Sequence, residues 1–395
     1  MESNITLEQI QNFKGKYPKQ LWYLFFSEMW ERFCFYGMRG MLVVFMVSHL
    51  GMNEKVANLQ YAFTFIGGLF ADKILGLRKS LFWGGILMII GSVILAIDPK
   101  NFFFIGLGFT IVGTGFFKPN ISSMVGQLYP DGDPRRDAGF SFFYMGVNLG
   151  ALIGGYICIA VAEGSMWQSI VPEHLRWNVG FGFAAIVMII SLLTFTQTQK
   201  SLGPIGLSPL KEMMVSKRKQ LEIVTYVGSL LVIPLIIVMV ANTHYTDYFM
   251  ICIGPASILY LLYEMKNFTL AENKKLFAAL IFIIFSIFFW AFFEQSGGSL
   301  SLFAVNNLNN TIGGVVLSPN GVNNSANSFF VIGFAALVGL VWLWLDKRKI
   351  EPNTVIKFGL AFLFLAGGFW VFYYTKFFAD GFGRTSLGIF TFGWF

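Results

Sequence analysis

The sequence predicts an all-α polytopic membrane protein, and three observations carry that prediction. The 395 residues are 55% hydrophobic and only 12% charged, where a soluble domain carries roughly 25% charged residues. Apolar runs close to the ~20 residues that a spanning helix needs recur along the whole chain. The lysines and arginines fall mainly on alternate connections between those runs, as they do when one side of a membrane faces the cytoplasm.

Taken in order, residues 1–20 are polar, end in Lys14, Lys16 and Lys19, and lack a signal-peptide pattern. Spans are expected at 21–49, 56–71, 81–97, 102–127, 138–162 and 178–196, then at 222–241, 246–263, 274–297, 327–345 and 355–377. A further apolar stub covers 387–395. Lys73, Arg78, Lys79, Arg135, Arg136, the stretch from Lys200 to Lys219, Lys266, Lys274, Lys275 and Lys347 to Lys349 all join the N-terminal lysines on one side. That side is read as cytoplasmic. The connection 299–326 holds neither Lys nor Arg and reads as a solvated outer loop. The second span has only about 16 apolar residues, ~24 Å at the helical rise, against a ~30 Å hydrocarbon core. The stub stops in mid-span. The sequence therefore reads as shortened at both places.

Ionisable groups at membrane depth are the informative residues, since each costs ~3 kcal/mol or more unless it is paired or faces water. The first span contains "SEMWERFCFYGMR". At about 100° per residue, Glu28, Glu31, Arg32 and Arg39 share a helix face roughly 100° wide, with Tyr36 at its border. Glu28 and Arg32 stand at i, i+4 and are expected to pair. Such a face looks into a protein interior or a cavity; the competing reading is a self-neutralised ion-pair patch that fixes packing. Lys118 lies deep in "GTGFFKPNISS", where Pro119 removes a helical hydrogen bond; snorkelling to an interface is its alternative. Glu294, in "FFWAFFEQSGGS", sits near the outer end of its span, functional or simply interfacial. Asn148 is a mid-span amide, and helix–helix glue is its plainer reading. Asp72 lies at a span end beside Lys73.

The function classes excluded are as useful. Cys34, Cys158 and Cys252 lie in apolar runs, and His49, His174 and His244 form no cluster, so no metal or other cofactor is expected. The formal charge of +7 is placed at membrane edges and suggests no nucleic acid. Neither a nucleotide loop nor a hydrolase elbow occurs in a plausible setting, and no enzyme is expected.

These stretches together resemble the proton-dependent oligopeptide transporter family of the major facilitator superfamily. Glu28, Glu31 and Arg32 match its E-x-x-E-R pattern, "GGLFADKILGLRKS" its second-span loop, "FSFFYMGVNLGAL" its fifth span, and "FFKPNISS" and "FWAFFEQSGGSLSLFA" its fourth and seventh. The resemblance implies two helical bundles around a central cavity, with two helices inserted between them. The N-terminal bundle then covers 21–196, a cytoplasmic linker 197–221, the inserted pair 222–263 and an incomplete C-terminal bundle 274–395. It also implies a multi-pass protein of the bacterial inner membrane that imports di- and tripeptides with protons. Glu28, Glu31, Arg32, Lys118 and Glu294 are implied in proton coupling. Arg39, Tyr36, Tyr61, Lys118, Asn148, Glu294 and Asn327 are implied in holding the peptide. Arg39 and Glu294 are expected to close the outer side as a gate. A zwitterionic peptide needs a cation for its carboxylate and an anion for its ammonium, which Arg39 or Lys118 and Glu294 supply.

Two departures stand out. Phe35 replaces the first tyrosine of the family's Tyr-Tyr pair, removing one pocket hydroxyl. The family's tenth to twelfth spans, which hold the carboxylate that pairs with the fourth-span lysine, are absent beyond the stub. If this chain is the entire polypeptide, little or no coupled transport is expected. A transport-inactive member of the family, or an importer of another small solute on the same fold, are the remaining alternatives.

Overall fold

Long helices follow from long apolar runs, because a backbone in lipid must satisfy its own hydrogen bonds. In a computed structural model, residues 5–62, 72–210 and 213–395 are described, without the side chains of 59–62, 72, 73, 243 and 246. The helices are α1 (Leu7–Gln11), α2 (Lys19–Ser48), α3 (Glu54–Ala62), α4 (Asp72–Leu75), α5 (Leu77–Ile97), α6 (Phe103–Gln127), α7 (Arg135–Ala162) and α8 (Arg176–Thr198). They are followed by α9 (Val215–Ala241), α10 (Thr243–Glu264), α11 (Leu270–Phe293), α12 (Ser299–Asn307), α13 (Pro319–Lys347), α14 (Thr354–Tyr374) and α15 (Leu387–Phe392). Among the described residues, eight helices are long and apolar enough to cross a membrane. The charge-bearing α2 and α6 are as long, at 30 and 25 residues.

Lipid supplies no hydrophobic drive between helices, so close packing decides which of them meet. The N-terminal half uses glycines for this. A Cβ at Gly84 of α5 would stand 2.5 Å from the Gly113 carbonyl of α6, and one at Gly106 of α6 would stand 2.9 Å from the Gly91 carbonyl of α5. Likewise a Cβ at Gly154 of α7 would lie 2.6 Å from the Phe33 Cα of α2. On its other flank α2 is held by α8, whose Ser191 hydroxyl donates to the Ser27 carbonyl at 2.7 Å. Two buried clusters fill this half, one around Phe45, Phe103 and Phe181 and one around Leu24, Phe117 and Phe195.

The pair α9 and α10 sits at the periphery. Trp83 of α5 donates to Ser229 of α9 at 2.9 Å, and Lys79 pairs with Glu222 at 2.6 Å. Ile237 of α9 packs on Gly108 of α6. In the C-terminal half, rings of α11 meet rings of α14, with Phe282 and Phe358 4.9 Å apart, and α15 rests on α14 through Phe390 and Phe372 at 4.7 Å. The outward faces of α11, α13 and α14 expose large apolar side chains such as Phe288, Leu340 and Phe364, as a lipid-facing surface requires.

The boundaries of the eighth span and of the outer loop differ from expectation. The eighth span, expected at 327–345, begins at Pro319, because Ser318 caps the helix through the Gly321 N–H and Pro319 occupies its first turn. The outer loop is therefore shorter than 299–326. It contains α12 and a hairpin of β1 (Thr311–Ile312) and β2 (Val315–Val316), turned by Gly313 and Gly314, both at positive φ. Residues 5–17 dock on the N-terminal half: Gln11 donates to the carbonyls of Gln127 and Tyr129, and Arg135 to those of Phe13 and Gly15.

Candidate functional site

The charged face of α2 is buried as its spacing predicts. Glu28, Glu31 and Arg32 are 4%, 0% and 2% exposed. Arg32 Nε lies 3.1 Å from Glu28 Oε1, closing the expected i, i+4 pair. The same guanidinium grips Glu31 with two donors, Nε and Nη2, the latter at 2.6 Å. Helical spacing alone puts Glu31 and Arg32 about 100° apart, but both side chains are long enough to converge. One cation thus serves two carboxylates, and Glu28 Oε2 is a buried oxygen with no hydrogen-bond partner among the described residues.

Phe35 stands between this cluster and α6. The Arg32 guanidinium lies 4.9 Å from its ring centroid and the Lys118 ammonium 5.8 Å. Lys118 is exposed, one residue before Pro119, and within electrostatic range of Glu28, Glu31, Arg32 and Glu294. Pro119 does not end α6: the helix runs on to Gln127, while Ser123 and Asn120 back-bond to the carbonyls of Pro119 and Phe116. The absent tyrosine hydroxyl is thus replaced by an aromatic face between two cations.

Two turns further along α2, Arg39 joins the halves. Its Nη2 forms an ion pair with Glu294, the residue that ends α11, and donates to Ser296 Oγ at 3.2 Å. Tyr36 lies beneath the guanidinium, 5.6 Å from ring centroid to Cζ. Around this contact the Asn-rich start of α13 is enclosed rather than solvated. Asn323 donates to the Ser296 carbonyl at 2.7 Å, Asn324 to Ser301 Oγ at 3.1 Å, and Asn320 to the Gly40 carbonyl at 3.1 Å. The hydrogen bonds and ion pairs described between the two halves all lie toward this far face, remote from the N-terminus.

The other expected residues are placed less centrally. Asn148 is buried but bonds the Tyr144 carbonyl of its own helix, at 3.0 Å. Asn327 lines a cavity of about 550 Å³ with Phe293, Phe364, Phe372 and Trp394, away from the α2 cluster. The side chains of Tyr61 and Asp72 lie outside the described residues. Ser296, Asn320, Asn323 and Asn324 were not singled out from the sequence. The Ser318–Pro319 helix start was the available signal for them.

A sequence model of the POT family matches residues 78–385 of the chain. The chain belongs to the POT family. An uncharacterised transporter, YclF, of Bacillus subtilis is 33% identical over 373 residues, which are 89% of this chain and 72% of that protein. The peptide transporter YePEPT of Yersinia enterocolitica is 32% identical, over 91% of this chain and 74% of its own length. A crystal structure of a peptide transporter POT in complex with alafosfalin superposes with a TM-score of 0.79 at 31% identity, covering 99% of this chain and 82% of that one. A POT family transporter in complex with 5-aminolevulinic acid gives 0.79 at 27% identity, covering 98% and 83%. This POT family chain is therefore a multi-pass membrane protein with the major facilitator architecture, and its relatives are transporters.

Proposed function

We propose that the protein is a proton-coupled symporter that imports di- and tripeptides by alternating access, with its N-terminus in the cytoplasm of a bacterial cell. The observation that carries this reading is the pair of charge clusters along α2. One, Glu28–Glu31–Arg32, is buried within a half; the other, Arg39–Glu294, spans the halves. Two carboxylates on one guanidinium leave one negative charge in excess, and a proton on the unpaired Glu28 oxygen neutralises it. A peptide carboxylate reaching Arg39 or Lys118 competes with Glu294 and Glu31 for the same cations. Binding and protonation are then linked through shared partners. No cofactor takes part, and the proton is the coupling ion.

The reading rests further on relatives. YePEPT is a peptide transporter, and a family structure at 28% identity holds a thioalcohol-conjugated peptide. Another relative holds 5-aminolevulinic acid, which, like a peptide, carries an amine and a carboxylate. An amino-acid-like zwitterion is therefore the second reading for the substrate.

Reconstitution in liposomes tests both. With an inward proton gradient, labelled dipeptide should accumulate at least about tenfold faster than without one. Glu31→Gln and Lys118→Ala should abolish accumulation, while exchange of labelled for unlabelled dipeptide persists in Glu31→Gln. Accumulation that survives in both variants would remove the proposed coupling, and absence of any dipeptide binding would remove the peptide.

A further inference from the structure

Glu163, the first residue past α7, meets the opposite half at the far face and has no part in the roles above. Its residue is half-buried, but the carboxyl end is enclosed between helices. Oε2 accepts from Ser318 Oγ at 3.0 Å and Oε1 from Asn320 Nδ2 at 2.7 Å. Ser318 and Asn320 are each 0% exposed. The second hydrogen of the Asn320 amide goes to the Gly40 carbonyl of α2. One carboxyl group thus ties α7 to α13, and through Asn320 to α2.

The surrounding charges leave it unneutralised. On α8, Arg176 lies across Gly164, but no ion pair with Glu163 is formed among the described residues, and Glu173 and His174, in the turn before α8, are exposed. α13 has no ionisable side chain before Asp346. On α2, Arg39 is engaged by Glu294 and His49 stacks on Phe45. On α7 the nearest titratable groups are Cys158 and Tyr156, whose ring lies against Gly321. Burial pushes the Glu163 carboxyl up to about 7, outweighing the opposing effect of the hydrogen bonds that Asn320 and Ser318 donate to it.

We propose that Glu163 is a further proton site of the transporter, a protonatable latch that closes the far face by holding α13 to α7 through Ser318 and Asn320. This rests on the alternating-access reading above, in which the far face is the outer one and must open. When it opens, the carboxyl meets water and returns to the ordinary range near 4.3. The closed state then binds the proton more tightly than the open state. Closure therefore gains as pH falls from about 7 toward the open-state value, and loses that gain as pH rises. Acid on the outer side loads the latch and shuts it, the direction an importer needs.

The test reads the far face itself. Spin labels at Ile170→Cys and Val315→Cys, exposed positions on the two halves, in a Cys252→Ser background, report its opening in lipid nanodiscs from about pH 5 to about pH 8. The closed fraction should rise several-fold as pH falls. Glu163→Gln should be closed throughout with no pH response, and Asn320→Ala should open at all pH values. Glu163→Asp, the milder variant, should keep the response with a smaller closed fraction. An unchanged distance distribution across the pH range, or a native pH response in Glu163→Gln, would overturn the latch. Dipeptide uptake is measured separately. Lost uptake with an intact pH response supports the latch and counts against the substrate, whereas uptake with a pH-insensitive far face removes the latch alone.

Discussion

Arg32 is the residue on which the buried charge of α2 depends. It holds two carboxylates that are themselves out of water, so its removal leaves both uncompensated. Breaking a buried pair by removing one partner costs about 3–5 kcal/mol. Arg32→Met should therefore destabilise the protein by about that much, seen as a large fall in melting temperature in detergent. Adding Glu31→Gln should recover part of the loss, because the charge left buried on Glu31 is then gone. If Arg32→Met melts like the native chain, the cluster is not the closed charge network described here. The i, i+4 spacing foretold only half of this arrangement. The Glu28–Arg32 pair follows from helical geometry, whereas the tighter grip on Glu31 depends on side-chain reach that a helical projection does not contain.

Among elements, the contrast between glycine-lined and open helix faces separates packing from propensity. Gly84 seats α5 against α6, and a Cβ there would fall 2.5 Å from the Gly113 carbonyl and 2.8 Å from the Phe117 amide nitrogen. Gly84→Val should cost about 1–3 kcal/mol by overpacking. Gly359 of α14 has nothing within 4 Å, so Gly359→Ala should be neutral or stabilising by up to about 1 kcal/mol through helix propensity alone. Thermal unfolding of the two variants side by side measures both, and equal effects would refute the packing argument. Most helices here were legible from apolar runs, because lipid makes hydropathy and burial the same signal. The start of α13 was not. Asn320, Asn323 and Asn324 look like a solvated loop, yet they lie in α13 with their amides hydrogen-bonded inside the protein. Glu163 was hidden for the same reason: its partners are 155 and 157 residues away, and no local pattern announces them.

At the scale of the whole molecule, the far face is where the halves hold each other, and transport requires that hold to be released. Arg39–Glu294, Glu163 with Ser318 and Asn320, and the amides around Ser296 and Ser301 lie in one band across α2, α7, α12 and α13. If these contacts form and break in each cycle, a covalent bond across the band should stop the cycle without unfolding the protein. A Cβ at Gly155 of α7 would lie 3.8 Å from the Asn324 Cβ of α13, within the ~3.5–4.5 Å range of disulfide Cβ pairs. Gly155→Cys with Asn324→Cys should therefore oxidise readily. Cys252, the exposed native thiol, is replaced by serine so that the new pair reports alone. Oxidation should abolish dipeptide uptake at least about tenfold, and reduction should restore it to the level of the unoxidised double variant. Each single cysteine variant should show no response to oxidant. A pair that oxidises fully while uptake continues would mean that the far face does not open during transport, and the gate assigned to Arg39 and Glu294 would fall with it.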